Sequence, residues 1–197
     1  MPSMDQPSKQ GLALQLGLHL LSGHRDRTFY PHSRIPYEVL AVDPTQACFA
    51  TPQNKRLPPN LDLPLSIGVG ETLPNIETGS MDAVVCTLTL CSITNPLKVV
   101  RECKRVLRDD DKTLFVEHVL SKEKTMLNVQ KTLTPLQELV SDGCHLDRLM
   151  RGVIEAGEWS NVDAKVVRLD GFLWLHEVLM GAATKYLNGY FTLTFLF

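Results

Sequence analysis

Runs of hydrophobic residues along the chain predict a series of short strands. The most apolar run extends from Ala83 to Cys91 and leads into Ser92. It shows no alternation of apolar and polar residues, which is typical of a parallel-sheet strand covered by helices on both faces. Weaker patterns predict strands at Val39 to Asp43, Leu65 to Val69, Thr113 to Val119 and Asp163 to Leu169.

A helical pattern follows the most apolar strand directly. Asn95 can cap a helix, and Pro96 suits the first helical position. From Pro96 to Arg108 the apolar residues share one face and the charged residues the other, so an amphipathic helix is predicted. Other patterns predict helices near Met126 to Val140 and Asp147 to Ala156, and a turn at Asp109 to Asp111.

The order of these elements predicts one α/β domain over residues 12–197, preceded by a disordered N-terminus over residues 1–11. Four prolines between Thr51 and Pro64 indicate a surface connection. The apolar run from Tyr190 to Phe197 is interpreted as a terminal strand, with a membrane or partner contact as the alternative. In folds of this class, ligands bind at the carboxyl ends of the strands.

Composition narrows the classes of partner. The chain has 197 residues, of which 44% are hydrophobic, and its net charge is −2, so it lacks the basic footprint of a nucleic-acid binder. We expect small molecules or other proteins as partners. The five cysteines form no C-x-x-C pair and no His/Cys spacing that fits zinc, which favours reduced, buried thiols and no metal. The run from Leu12 to Leu21 is about half the length that a membrane-spanning helix needs.

Polar residues at the predicted strand ends are the candidates for binding. Asp43 could accept hydrogen bonds from both ribose hydroxyls of a nucleotide, although a helix cap or an Asp-Pro turn explains it equally well. Gly68 and Gly70 could let the backbone approach a flat ring, with Glu71 accepting a hydrogen bond. An ordinary turn is the alternative interpretation of this segment.

Two histidines are candidate bases. His118 ends a predicted strand, and His145 follows a predicted helix in the sequence Asp142-Gly143-Cys144-His145. A single histidine is more often structural than catalytic. Two histidines that could both face the carboxyl edge of the sheet strengthen the catalytic interpretation.

Taken together, these segments resemble the class I S-adenosylmethionine-dependent methyltransferases, and more narrowly the alkyl-thiol group of methyltransferase-like proteins. The resemblance covers roughly residues 29–185. The most specific segments are the CTLTLCS core, the DGC-x-L-x-R segment, FYP at Phe29 to Pro31 and VDP at Val42 to Pro44.

The resemblance implies a Rossmann-like sheet with helices on both faces and S-adenosylmethionine at its carboxyl edge. In that arrangement Asp43 would hold the cofactor ribose, Gly70 and Glu71 would lie along the adenine, and Thr87 and Leu88 would lie beside the reacting methyl group. A further set would face the substrate: Cys91, His118, Asp142 and His145. The implied reaction is methyl transfer to a small thiol or lipophilic acceptor, assisted by His118 or His145.

The chain departs from the family pattern at two places. The family has a glycine loop, commonly E-x-G-x-G-x-G, where Leu18 to Pro31 contains only Gly23. It also has Pro-Gly-Gly where this chain has Asp109 to Asp111. The lost loop would weaken cofactor binding, so a catalytically inactive, partner-binding relative is the alternative function. A dehydrogenase is a third possibility, which the absence of G-x-G-x-x-G argues against.

Family members are often tethered to the endoplasmic reticulum or lipid droplets by an apolar N-terminal helix, for which we expect no adequate sequence in this chain. The run from Leu12 to Leu21 is either the remnant of that helix or a replacement first strand, and we prefer the strand. We therefore expect a cytoplasmic protein with at most peripheral contact at those membranes.

Overall fold

A mixed β-sheet forms the framework of the protein. The computed structural model describes residues 11–17, 37–44, 61–62, 64–169, 171 and 173–186. Within these residues the sheet has eight strands, in the order β3-β2-β1-β5-β6-β8-β7 with β4 also paired to β2. They are β1 (Gly11–Gly17), β2 (Tyr37–Asp43), β3 (Leu61–Asp62), β4 (Leu65–Ile67), β5 (Met81–Thr87), β6 (Leu107–His118), β7 (Asn161–Arg168) and β8 (Glu177–Thr184).

The sheet is parallel in its first part and antiparallel at one edge. Strands β1 to β6 pair in parallel, whereas β8 runs antiparallel to β6 and β7 runs antiparallel to β8. The predicted α/β class is confirmed, including the strand within Leu12 to Leu21, which is β1. Strand β8 was not predicted, because its GAAT half has little of the β-branched or aromatic character that marks a strand.

The strand order reverses between β1 and β5. The chain builds β2, β3 and β4 on one side of β1 and then crosses to β5 and β6 on the other side. In open α/β sheets, the crevice at the carboxyl ends of the two strands at such a reversal is the usual ligand site. The carboxyl ends of β1 and β5 therefore define where a ligand is expected.

The most apolar strand is shorter than predicted. Strand β5 ends at Thr87, not at Cys91, because Leu88 adopts a left-handed backbone conformation with φ 52°. The chain then forms a turn before α1 (Pro96–Val106), whose cap is the predicted Asn95: its side chain accepts a hydrogen bond from Lys98 N at 3.1 Å.

The predicted turn at Asp109 to Asp111 is wrong, because these residues lie inside β6. The strand begins at Leu107, immediately after α1, and Asp110 has φ 66°. Pairing with β5 shifts register there: Met81 pairs with Leu107, and Ala83 pairs with Lys112. The three aspartates thus lie in an irregular section of a strand, so the chain passes from helix to strand without a separate loop.

Among the described residues, two further α-helices are α2 (Lys124–Val140) and α3 (Met150–Glu155), and a short 3₁₀ helix spans Leu173–Leu175. Helix α2 confirms the pattern near Met126 to Val140, while α3 begins three residues later than predicted. The side chain of Gln130 in α2 is buried and joins two segments, since it accepts a hydrogen bond from Ser121 N at 2.8 Å and donates to Val119 O at 3.2 Å.

The hydrophobic core lies where α1 and α3 pack on each other beside β5 and β6. It includes Val84, Val99, Cys103, Met150 and Ile154. The segments 1–10, 18–36, 45–60 and 187–197 lie outside the described residues. These segments contain the stretch Leu18 to Pro31 with its FYP motif and the C-terminal run Tyr190 to Phe197. They also contain the predicted disordered N-terminus except for its last residue, Gly11, which begins β1.

We expect Gly181→Ala to destabilise the protein by about 1–3 kcal/mol, because overpacking carries a cost of that size. A Cβ on Gly181 would lie 2.2 Å from Asp163 O and 2.6 Å from Ala164 Cα, both backbone atoms of β7. Urea denaturation measures the change in unfolding free energy.

The matched control is Gly152→Ala, in α3, where a Cβ would meet no atom within 4 Å. Alanine favours a helix over glycine by about 0.5–1 kcal/mol, so this variant should be as stable as the parent or more stable. Equal effects of the two substitutions would contradict the strand packing described for β7 and β8.

Candidate functional site

The carboxyl end of β2 carries a buried acid beside a glycine-containing turn. Asp43, the last residue of β2, is 0% exposed. Gly68 N donates a 3.1 Å hydrogen bond to Asp43 O, which holds the turn after β4 against this strand end. Gly70 is buried within the turn, and Glu71 Oε1 accepts a hydrogen bond from Asn95 N at 3.4 Å. The turn therefore connects the end of β2 to the start of α1.

The loop after β5 turns sharply at the same edge of the sheet. Leu88 N donates to Val116 O at 2.8 Å, and the positive φ of Leu88 directs the following residues away from the sheet. The Thr89 hydroxyl donates to Thr87 O at 3.2 Å. A left-handed backbone costs a residue with a side chain about 1–2 kcal/mol, so other contacts must hold this loop.

A buried carboxylate on β6 supplies those contacts. Glu117 is 0% exposed, and its Oε1 accepts a hydrogen bond from Thr89 N at 3.0 Å while its Oε2 accepts one from Cys91 N at 3.1 Å. Burial raises the pKa of the Glu117 carboxyl, and backbone N–H groups of the loop act in the opposite direction. Both oxygens of the Glu117 side chain thus hold the loop after β5 against the end of β6.

Two cysteines and a histidine meet next to Glu117, and all three are buried. His118 Nδ1 lies 3.6 Å from Cys91 Sγ and 3.1 Å from Cys144 Sγ. The two sulfurs are 3.7 Å apart. The hydrogen bond that they share lowers the pKa of the Cys144 thiol and, together with burial, raises the pKa of the Cys91 thiol.

The loop after α2 brings Cys144 to this position. Asp142 and Gly143 both adopt left-handed conformations, with φ 48° and 78°. A Cβ on Gly143 would lie only 3.0 Å from Ser92 O, so the two loops pass each other closely. His145 N donates to Cys91 O at 2.8 Å and fixes their relative position.

The His145 side chain lies at the border between this cluster and solvent. It is 33% exposed, and its Nδ1 is 3.0 Å from Glu138 Oε1 and 3.9 Å from Asp147 Oδ1. A carboxylate at Nδ1 orients an imidazole and leaves Nε2 for another partner. This pairing of a partly exposed histidine with an acid is suited to proton transfer.

The structure brings the predicted site residues to one edge of the sheet. Asp43, Gly70 and Glu71 lie at the ends of β2 and β4, and a second group lies at the ends of β5 and β6. Asp142 is exposed in its turn, outside the buried cluster. The roles assigned to these residues stay predictions. The second group consists of Thr87, Leu88 and Cys91 at or after the end of β5 and His118 at the end of β6, and His145 joins it from the loop after α2.

Four contributing residues were not among the predicted site residues. Glu117 could have been found from its position in an apolar strand, since a buried charge is rare without a function. Cys144 lies in a segment that marks the family but carries no local sign of a partner. Glu138 looks like a solvent-facing helix residue in the sequence. The fourth is Arg148, whose Nη1 donates to Leu90 O at 2.6 Å and Ile93 O at 2.7 Å.

Comparisons with known proteins agree with this architecture. The methyltransferase domain family matches residues 22–115. Among solved structures, a chain of the complex between the Haloferax volcanii Trm112 methyltransferase activator and a methyltransferase has a TM-score of 0.64 at 16% identity, covering 93% of this chain and 86% of that one. The [4+2]-cyclase SpnF has a TM-score of 0.61 at 12% identity, covering 92% and 77%. The solved structures therefore show that the chain has the class I methyltransferase fold.

In sequence, this chain is similar to thiol S-methyltransferases. It is 37% identical over 122 residues to thiol S-methyltransferase TMT1B of Rattus norvegicus, covering 60% of this chain and 50% of the relative. It is also 37% identical over 97 residues to thiol S-methyltransferase TMT1A of Homo sapiens, covering 49% and 40%. The chain thus spans half or less of the length of the curated relatives it matches.

We expect Glu117→Gln to destabilise the protein by about 1–3 kcal/mol, the cost of leaving a buried hydrogen-bonding group unsatisfied. An amide can accept only through its oxygen, so its NH₂ group would face either Thr89 N or Cys91 N, both of which are donors. Urea denaturation measures the loss.

Glu155→Gln is the control, because Glu155 forms an exposed ion pair with Arg151 at 3.2 Å. It should change stability by less than about 0.5 kcal/mol. Similar losses in both variants would show that Glu117 does not clamp the loop.

Proposed function

We propose that the protein is an S-adenosylmethionine-dependent methyltransferase with a small thiol as its acceptor. The observation that carries the proposal is the fully buried Asp43 at the carboxyl end of β2, next to the strand reversal, in a class I methyltransferase fold. The choice of a thiol comes from the similarity to proteins named thiol S-methyltransferases. A lipophilic small molecule is the broader acceptor class.

The residues at the sheet edge have chemistry that fits the cofactor. Asp43 offers carboxylate oxygens to a ribose diol, and a charged hydrogen bond contributes about 1.5–3 kcal/mol. Gly70 and Glu71 follow in the turn held against this strand end, on the side proposed for the adenine. Thr87 ends β5 beside the strand reversal and Leu88 follows it, on the side proposed for the methyl group. The bound cofactor would supply an electrophilic methyl group on a sulfonium, so the protein mainly has to position the acceptor.

The acceptor thiol must also lose its proton, because the thiolate is the nucleophile. Both His118 and His145 were candidate bases, and their surroundings differ. The His118 side chain is buried with Nδ1 directed at two sulfurs, whereas His145 is partly exposed and paired with Glu138. We therefore assign proton removal to Nε2 of His145, with Cys91 and Asp142 on the acceptor side.

Calorimetric titration with S-adenosylmethionine tests the cofactor site. We expect micromolar binding by the parent chain, and Asp43→Ala should weaken it by about 10–100-fold, which corresponds to the loss of roughly 1.5–3 kcal/mol. An exposed acid such as Glu155, when changed to alanine, should leave affinity unchanged. If a folded parent chain gives no heat up to millimolar cofactor, the enzymatic function is wrong.

That negative outcome would favour the second candidate function, a catalytically inactive relative that binds a partner protein. One observation favours it: the stretch Leu18 to Pro31, where the family has its glycine loop, contains only Gly23. Such loops present backbone N–H groups to an anionic end of the cofactor. The titration therefore separates the two functions directly.

Replacing the proposed base tests the reaction. We expect His145→Ala to lower methyl transfer to a small thiol by about 10²–10⁴-fold, the usual contribution of a positioned base. Cofactor affinity should stay at the parent value, because His145 lies on the acceptor side. Added imidazole should restore part of the rate in this variant. Turnover equal to that of the parent would eliminate His145 as the base.

The same reasoning covers location and partners. We propose a cytoplasmic protein with peripheral contact at the endoplasmic reticulum or lipid droplets, and no nucleic-acid partner; the acidic net charge of −2 supports the last point. In the part of the chain that the structure describes, no helix is long and apolar enough to cross a membrane.

A further inference from the structure

The buried cluster of Cys91, His118 and Cys144 has the composition of a metal site. Each side chain offers one ligand atom, and the three atoms lie within 4.8 Å of one another. We propose that these three residues bind a zinc ion in the buried layer on the acceptor side of the sheet edge. The proposal goes beyond methyl transfer, since it concerns what the cluster binds whether or not the protein is an active enzyme.

The geometry of the cluster is close to that of three corners of a zinc tetrahedron. With zinc–sulfur and zinc–nitrogen bonds of about 2.3 and 2.05 Å, the sulfur–sulfur edge is about 3.8 Å and a sulfur–nitrogen edge about 3.6 Å. The distance between the two sulfurs is 3.7 Å, and Cys91 Sγ lies 3.6 Å from His118 Nδ1. The third edge, from His118 Nδ1 to Cys144 Sγ, is 3.1 Å, about 0.5 Å short of the ideal.

The donor set also has the right charge and softness. Two thiolates neutralise a divalent cation, and thiolate with imidazole is a combination that zinc prefers to oxygen ligands. Among the described residues, the contacts of His118 Nδ1 are the two cysteine sulfurs, and thiols are weak hydrogen-bonding groups.

The ligands come from segments that other contacts already hold in place. Cys91 is fixed through its N–H to Glu117 and through its carbonyl to His145 N. His118 ends β6, paired with Val178 of β8. A bound ion would therefore join the loop after β5, the end of β6 and the loop after α2. Three protein ligands would leave one tetrahedral position for a non-protein ligand.

A second buried cysteine pair in the same core is not part of a three-ligand group that includes a histidine. Cys86 Sγ and Cys103 Sγ are 3.9 Å apart and buried, which resembles the separation of Cys91 and Cys144. Among the described residues, only the group of Cys91, His118 and Cys144 meets the geometric requirement for three ligand atoms. The Cys86–Cys103 pair is thus a matched control for a buried thiol pair without a third ligand.

Cobalt titration of the reduced, metal-free 197-residue chain tests the site. We expect one Co²⁺ per chain, with thiolate-to-cobalt charge-transfer absorption and the visible bands of a tetrahedral ion, both removed by added Zn²⁺. Cys144→Ser should weaken binding by more than about 100-fold, since even outer-shell partners of a ligand are worth about 10–100-fold. Cys103→Ser should bind cobalt as the parent does.

A second measurement needs no variant and guards against misfolding. Zinc added to the parent chain should slow alkylation of Cys91 and Cys144, followed by mass spectrometry, and leave the alkylation rate of Cys86 unchanged. The proposal is overturned if the folded, reduced chain gives no charge-transfer absorption, or if Cys103→Ser lowers it as much as Cys144→Ser does. Formation of a Cys91–Cys144 disulfide in a chain that takes no metal after reduction would overturn it as well. Neither measurement depends on methyl transfer, so a result that overturns the zinc site does not affect the proposed methyltransferase function.

Discussion

The two hydrogen bonds that Glu117 accepts determine the form of the candidate site. The backbone after β5 must leave the sheet through a left-handed residue, Leu88, and it exposes donors that have no strand partner. Both oxygens of the buried carboxylate accept from these donors, at Thr89 and Cys91. An anion is costly in a protein interior, and it is tolerated here because charge-assisted hydrogen bonds are stronger than neutral ones.

The position of the loop after α2 depends on these two hydrogen bonds. With Cys91 held in place, His145 N can donate to its carbonyl, and the loop after α2 is drawn against the loop after β5. Arg148 secures the same loop from its far side through Leu90 O and Ile93 O. As a result, the two histidines have different surroundings. The His145 side chain is partly exposed beside an acid, whereas that of His118 is buried against two sulfurs.

The similarity in fold to known structures covers more of the chain than the similarity in sequence to known enzymes. The fold likeness covers 90% or more of this chain in the solved structures compared above, while the sequence likeness to thiol S-methyltransferases covers at most about half of their length. The class I fold also supports chemistry other than methyl transfer, as the cyclase SpnF illustrates. The proposed activity therefore depends on particular residues at the sheet edge, and in the first place on Asp43.

Much of the fold could be predicted from local patterns. The apolar run of β5, the Asn95-Pro96 helix start and the amphipathic face of α1 are all local, because periodicity and capping act over a few residues. The antiparallel β8 and the strand assignment of the three aspartates were missed. Both depend on pairing with strands that are distant in sequence, which overrides weak local propensity.

The candidate site divides in the same way. The sequence by itself identified Asp43 as a strand-end acid and identified Cys91, His118 and His145 as candidates for the acceptor side. It offered no spacing typical of a metal site, since His118 lies 27 residues from Cys91 and 26 from Cys144. Only the tertiary structure decided which of these side chains meet and which face solvent. The physical reason is that parallel strands bring their carboxyl ends to one edge whatever the length of chain between them, and contacts across that edge have no local signature.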